Sequence, residues 1–228
     1  MPASGRVFTT TRRVRLGDAD PSGRLRLDAL ARLLQDVGND DTADAGADPS
    51  SPWIARRTSV VVRSWPRIGD RMTFETWCGG TGSHWAERRT SVDGGAVDVA
   101  ALWVHVDPAS GRPARLPQWF LDAYGPAAGD RRVKARLGHG DPPAGGAVAA
   151  RPWPLRHTDL DVLGHVNNAA TWAAVEDELA RLGIVPATAE LEYRAAIEPG
   201  DDVTLVSGPD RLWLVVDGDV RASAVWTP

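Results

Sequence analysis

Val14-Arg15-Leu16-Gly17-Asp18-Ala19-Asp20-Pro21-Ser22-Gly23-Arg24-Leu25 lines up without gaps on Leu155-Arg156-His157-Thr158-Asp159-Leu160-Asp161-Val162-Leu163-Gly164-His165-Val166, with arginine, both aspartates and glycine in register. The agreement runs on through Ala29 on Ala170 to Asp36 on Asp177, where both copies change to helical periodicity. A second block keeps the same order: Arg63, Gly69, Asp70 and Thr73 fall on Arg194, Gly200, Asp201 and Thr204 at identical mutual spacing. A gapped third block sets Val92-Asp93-Gly94 and Trp103 beside Val216-Asp217-Gly218 and Trp226. Ordered self-similarity of this kind means that one folding unit occurs twice.

Within the first copy, Phe8, Thr10, Arg12, Val14 and Leu16 alternate with polar residues, the period of a strand. Leu27, Leu30, Ala31, Leu34 and Val37 then recur at helical steps, and Gly38 is a candidate stop. A polar loop is expected near Asp40 to Pro52. Strands are expected over Arg57–Trp65, Arg71–Cys78, Trp85–Val92 and Val97–Val106, punctuated by Gly69-Asp70, Gly79-Gly80 and Asp93-Gly94-Gly95. The second copy repeats the order, with a helix carrying Trp172, Val175, Leu179 and Leu182 before Gly183 and strands near Ala189–Ile197, Val203–Ser207, Leu212–Val216 and Val220–Trp226. Gly, Ala, Pro and charge dominate residues 125–150, which read as a linker or crossover. The expected organisation is an N-terminal domain over 1–124, the linker 125–150 and a C-terminal domain over 151–228. A sheet curled round a long helix buries it on one side, and two such sheets can join edge to edge, an α+β architecture.

Composition narrows the function classes. Of the 228 residues 43% are apolar and 25% charged, and no run approaches the roughly 18 apolar residues of a membrane span. The first residues lack the apolar core of a secretory signal, so a cytoplasmic location is expected. Cys78 is the single cysteine, which excludes an internal disulfide framework and a multi-cysteine zinc site; a buried, inert thiol is the plain reading. A net charge of −4 argues against general nucleic-acid binding. Lys134 is the sole lysine, and arginines cluster at Arg56-Arg57, Arg88-Arg89 and Arg131-Arg132-Val133-Lys134-Ala135-Arg136, either as a solvated surface or as a dock for phosphate or an acidic carrier protein. Gly79-Gly80-Thr81-Gly82 lacks the Lys-Ser/Thr of a phosphate loop, no Gly-x-Ser-x-Gly elbow occurs, and the five histidines show no metal spacing. No metal and no cofactor is expected.

Chemistry concentrates in Asp161-Val162-Leu163-Gly164-His165-Val166-Asn167-Asn168, just before the second helix. With Asp159 it makes an Asp-x-Asp-x-x-Gly-His-Val-Asn-Asn signature that resembles the hot-dog thioesterases. Trp53, Gly69-Asp70 with Thr76-Trp77, Glu87-Arg88-Arg89, Ala101-Leu102-Trp103-Val104 and Leu191-Glu192-Tyr193-Arg194 narrow the resemblance to acyl-acyl-carrier-protein thioesterases over nearly the whole chain. The resemblance implies a double hot-dog, two antiparallel sheets each wrapped around a long helix, and hydrolysis of fatty acyl-carrier-protein thioesters in fatty acid biosynthesis.

The chemistry is consistent with that. A thioester expels a thiolate whose parent thiol has a pKa of about 8.5, so the reaction chiefly needs an activated attacker and oxyanion stabilisation. Asp161 is the candidate general base or nucleophile, and burial there would raise its pKa. His165 is placed to orient water or the thioester carbonyl, and Asn167 and Asn168 either join it or cap the helix. Backbone N–H groups from Val166 to Asn168, after the turn at Gly164, are candidate oxyanion donors. Leu30, Leu33, Leu34 and Val37 offer more apolar surface than one packing face needs, so they are the candidate acyl-chain lining. In the first copy Arg24 replaces the histidine, which makes that copy the degenerate one.

Plant-type members of the family carry an asparagine at the place of Leu163 and an acidic residue at that of Ala196, so part of the polar machinery differs here. An acyl-CoA thioesterase, or a non-catalytic acyl-thioester binding module, remain the alternatives. The quaternary state is open, a homodimer included.

Overall fold

The computed structural model describes residues 1–47, 52–143 and 149–228. Residues 48–51 of the expected loop and 144–148 of the expected linker lie outside the described residues. The first half runs β1 (Phe8–Arg13), α1 (Leu27–Asp44), β2 (Trp53–Val62), β3 (Arg71–Thr81), β4 (Trp85–Val92), β5 (Val97–His105) and α2 (Gln118–Ala128). The second runs β6 (Ala149–Pro152), α3 (Asn168–Leu182), β7 (Thr188–Tyr193), β8 (Thr204–Ser207), β9 (Arg211–Val216) and β10 (Asp219–Thr227).

Where two sheets were expected, the described strands form one antiparallel ten-stranded sheet in the order β1-β3-β4-β5-β2-β7-β10-β9-β8-β6. An unpaired strand edge leaves N–H and C=O groups without partners, and β2 and β7 satisfy theirs on each other. The order reads the same from either end, with Ser59 of β2 opposite Glu190 of β7 at the junction. The repeat is visible bond by bond. Gly23 N–H donates to Asp20 O at 2.9 Å and Gly164 N–H to Asp161 O at 3.0 Å; Leu25 N–H donates to Pro66 O at 2.9 Å and Val166 N–H to Ile197 O at 3.0 Å.

Side chains alternate across a strand and recur every three to four residues on a helix, which sets the core. Leu27, Leu30, Leu33 and Val37 of α1 join Trp172, Val175 and Leu179 of α3 over Val60, Phe74, Leu191 and Leu214 of the sheet, all buried. α3 stops at Gly183 as expected, since its φ of +69° costs a glycine nothing. Two helix expectations are corrected. α1 runs through Gly38 to Asp44, because a helical glycine costs only about 1 kcal/mol while buried Asp41 beyond it pairs with Arg6 and Arg88. Charge-assisted bonds of that kind contribute about 1.5–3 kcal/mol each. α2 was not expected at all; Phe120, Tyr124 and Ala128 bury its face against Cys78 and Ala86, and Tyr124 donates to Asp41 O in the last turn of α1 at 3.3 Å. The expected first strand ends early, at Arg13, and Leu16 turns 83% exposed into a short 3-10 turn.

Part of the expected linker crosses the face of the sheet turned away from the helices. Glu192 is fully buried there and accepts from Gly138 N at 2.6 Å and His139 N at 3.0 Å, while Trp213 Nε1 donates to Gly140 O at 2.8 Å. These bonds fix the crossover against the β2–β7 junction.

Glu178 of α3 is also fully buried. Burial alone would raise its pKa, but hydrogen bonds from Arg181 and Arg151 outweigh that and hold it at about 2, against an ordinary 4.5. The carboxylate therefore stabilises the fold above about pH 4.5, and the contribution is lost as pH falls toward 2. We expect Glu178→Gln to cost about 2 kcal/mol at pH 7, discounted for the half-exposed Arg181. Urea unfolding should show that difference shrinking steadily between the two pH limits; a difference independent of pH would refute the assignment.

Candidate active site

The turn before α3 is built by its own aspartates. Asp159 is buried and accepts from Arg156 N at 2.8 Å and Arg156 Nη2 at 2.7 Å. Asp161 N–H then donates to His165 O at 2.9 Å, and Asp161 Oδ1 accepts from Leu163 N at 2.9 Å. Gly164, with φ of +80°, closes the turn, a conformation that strains any residue with a Cβ. Asn167 Oδ1 accepts from Ala169 N at 2.8 Å as the N-cap of α3.

Asp161, Gly164, His165, Asn167 and Asn168 thus meet at one turn-to-helix junction. Asp161 is half-buried rather than buried, because Val162 and Leu163 at the turn tip are 102% and 69% exposed and carry the turn into solvent. Of the three N–H groups expected to face an oxyanion, Val166 N–H is taken by Ile197 O at 3.0 Å and Asn167 N–H by Asp159 O at 2.8 Å. Asn168 N–H has no partner among the described residues. It opens the positive end of a four-turn helix, the natural place for a developing negative charge.

His165 Nε2 lies 3.4 Å from Glu198 Oε1, and both are partly exposed. Sequence reasoning noted the missing acid at Ala196 and overlooked this one, two residues along the same loop. Its signal was the second repeat block, which places Glu198 opposite Arg67: Arg67 N and Glu198 N each bond the aspartate three residues on, both at 2.8 Å.

The same place in the first half is closed. Arg24 is buried, bonds Asp20 Oδ2 through Nε at 3.0 Å, pairs with Glu176 of α3, and stacks 4.6 Å from the Trp65 ring centre. Burial pushes the Asp20 carboxyl up, but bonds from Ser22 and Arg24 outweigh it and hold the group below the ordinary carboxylate range. Asp20 is an engaged carboxylate, whereas Asp161 accepts only its own turn's N–H.

Leu30, Leu33 and Val37 are packed into the core and Leu34 is half-buried against it, so these residues line the α1 side of the helix pair. Cys78 lies in the α2 cluster, and burial raises its thiol pKa, as befits an inert thiol. Of the arginine clusters, Arg88 is engaged with Asp41, and Arg131 with Gly79 O and Ala127 O, so these two are internal struts. His139, Glu190 and Glu192 lie close enough for a metal ion, but under the crossover on the opposite face of the sheet from the core helices, with Glu192 already accepting two backbone N–H groups. Among the described residues no helix is long and apolar enough to cross a membrane.

Known proteins resemble the chain in sequence and in fold. The chain is 33% identical over 234 residues to an uncharacterized protein of Mycobacterium tuberculosis, covering 98% of this chain and 93% of that one. It is 27% identical over 191 residues to the chloroplastic palmitoyl-acyl carrier protein thioesterase of Arabidopsis thaliana, covering 74% of this chain and 45% of the plant protein. Among solved structures, the 12:0-ACP thioesterase from Umbellularia californica superposes with a TM-score of 0.80 at 23% identity over 100% of both chains. An acyl-ACP thioesterase from Bacteroides thetaiotaomicron gives 0.80 at 15% identity over 97% of this chain and 98% of the other. These two establish the hot-dog thioesterase fold. The acyl-ACP thioesterase N-terminal domain model matches residues 5–124 and the C-terminal domain model residues 146–217. The chain therefore belongs to the acyl-ACP thioesterase family and is a thioester hydrolase.

Proposed function

We propose that the chain hydrolyses the thioester of fatty acyl-acyl-carrier protein to free fatty acid and carrier thiol, with Asp161 activating the attack. The observation that carries this is an accessible carboxylate, Asp161, and an unfilled N–H, Asn168, on the same turn-to-helix junction. Asp161 takes a proton from water, the resulting hydroxide adds to the carbonyl carbon, and the new oxyanion accepts from Asn168 N–H. Collapse breaks the C–S bond, and the thiolate takes up the proton that Asp161 held. Direct attack by the carboxylate, through a mixed anhydride that water then opens, uses the same groups. His165, oriented by Glu198, faces the carbonyl. Asn167 acts by capping α3, which fixes the direction of the N–H groups.

Each half is read as one hot-dog unit, residues 1–124 and 151–228, joined by the crossover of 125–150, and the protein as cytoplasmic. The acyl chain is assigned to the α1 side, along Leu30, Leu33, Leu34 and Val37. Release of free thiol from acyl-carrier-protein and acyl-CoA thioesters of graded chain length tests the reading. We expect turnover of the carrier-protein series. Binding without turnover would make the protein a binding module, and preference for CoA esters would change the carrier. Leu34→Trp should shorten the preferred acyl chain, since Leu34 is half-buried and has room that its core-facing neighbours lack. An unchanged chain-length profile would move the tunnel away from α1.

A further inference from the structure

Three positions that close the first half are exchanged together in the second. The repeat sets Arg24 on His165, Trp65 on Ala196, and Glu176 of α3 on Gln35 of α1. In the first half Glu176 reaches across the helix pair to the start of α1, where Oε2 accepts from Leu27 N at 2.8 Å and Oε1 accepts from Arg24. A carboxylate oxygen thus occupies the first N–H of α1, the equivalent of the open Asn168 N–H of α3. It marks where an anionic oxygen sits in this fold. Trp65 covers the Arg24 side of that site, whereas its counterpart Ala196 is exposed and carries no ring to cover His165 in the same way.

The two halves mirror each other about Ser59 and Glu190, and α1 packs on α3. By the same pairing, Gln35 of α1 holds the position relative to the start of α3 that Glu176 of α3 holds relative to the start of α1. Gln35 is half-buried, and its amide makes no hydrogen bond among the described residues. A glutamate here would cap Asn168 N–H and repel both Asp161 and a developing oxyanion. A glutamine leaves the N–H open and brings two N–H donors of its own.

We infer that Gln35 is a catalytic residue of the site in the other half, its side-chain amide donating to the thioester carbonyl oxygen together with Asn168 N–H as charge builds there. This rests on the assignment of Asp161 and Asn168 to the reaction. It makes the site a joint product of both halves, although the titratable groups all lie in the second.

The test is steady-state kinetics of Gln35→Met and Gln35→Glu on the preferred acyl-carrier-protein thioester, with Asp161→Asn alongside and melting temperatures for all three. Removing one oxyanion donor typically costs about 10²–10³ in kcat. Gln35→Met should lose about 10²-fold in kcat with KM changed less than about threefold, and Gln35→Glu should lose more, because its carboxylate both lacks a donor and caps Asn168 N–H. A residue that served only packing would move the melting temperature and leave kcat alone. Wild-type kcat in Gln35→Met, a loss confined to KM, or full activity in folded Gln35→Glu would each overturn the inference. If Asp161→Asn is inactive while the Gln35 variants keep their kcat, only the inference about Gln35 fails; if Asp161→Asn is also active, the site itself is misplaced.

Discussion

Asp161→Asn is expected to fold and to lose thioesterase activity by about a hundred- to ten-thousand-fold, the usual cost of removing a general base. The substitution keeps the shape of the side chain. Its amide oxygen can still accept from Leu163 N, so the turn at Gly164 should survive and the melting temperature should barely change. A turn or surface aspartate costs little beyond about 0.5 kcal/mol when replaced, which is why the kinetic and thermal readouts separate the two roles. Asp20→Asn is the matched control: it sits at the same place in the other repeat, but its carboxylate is engaged by Arg24 and Ser22, and activity should persist. His165→Ala should fall between the two. Wild-type turnover by Asp161→Asn would remove Asp161 from the reaction.

The largest expected effect on stability is at Arg24. Its guanidinium is buried between Asp20 and Glu176 and holds the two halves together. Removing one partner of a buried pair leaves an uncompensated charge, which typically costs about 3–5 kcal/mol, whereas replacing the whole pair by apolar groups is often neutral. We therefore expect Arg24→Met to lose about 3 kcal/mol in urea unfolding, and Arg24→Met with Glu176→Leu to recover part of it, since the second change also strips Leu27 N–H of its acceptor. A single variant as stable as wild type would mean that the charges find solvent, and that the interface between α1 and α3 is held by apolar packing alone.

Much of this was legible in the sequence because local chemistry repeats. The Asp-Gly turns, the helices that follow them and the strand spacing recur in both copies, and several repeat matches return as matched hydrogen bonds. What was not legible came from contacts between distant segments. Gly38 reads as a stop and Gly125 as the start of a linker, yet α1 continues because Arg6 and Arg88 reach Asp41, and α2 forms because Phe120 and Tyr124 find an apolar surface. That the two sheets can join edge to edge was expected, but which strands join, and the β2–β7 register that makes one sheet of them, is encoded by no single strand. At the site, Asp161, His165 and the capping role of Asn167 follow from the motif. The proximity of Glu198 to His165 and the reach of Glu176 to Leu27 do not, since the repeat blocks align each of these residues with its counterpart but not with the partner it meets across the fold.

The palindromic strand order also decides how the sheet ends. Its outer strands are β1, with Arg12 and Arg13 at its end, and β6, only four residues long and closed by Pro152. Charge on one rim and a short, proline-stopped strand on the other are devices that discourage templated growth. The inner edges, β2 and β7, are spent on each other inside one chain, and the rims that remain discourage further growth along the hydrogen-bonding direction.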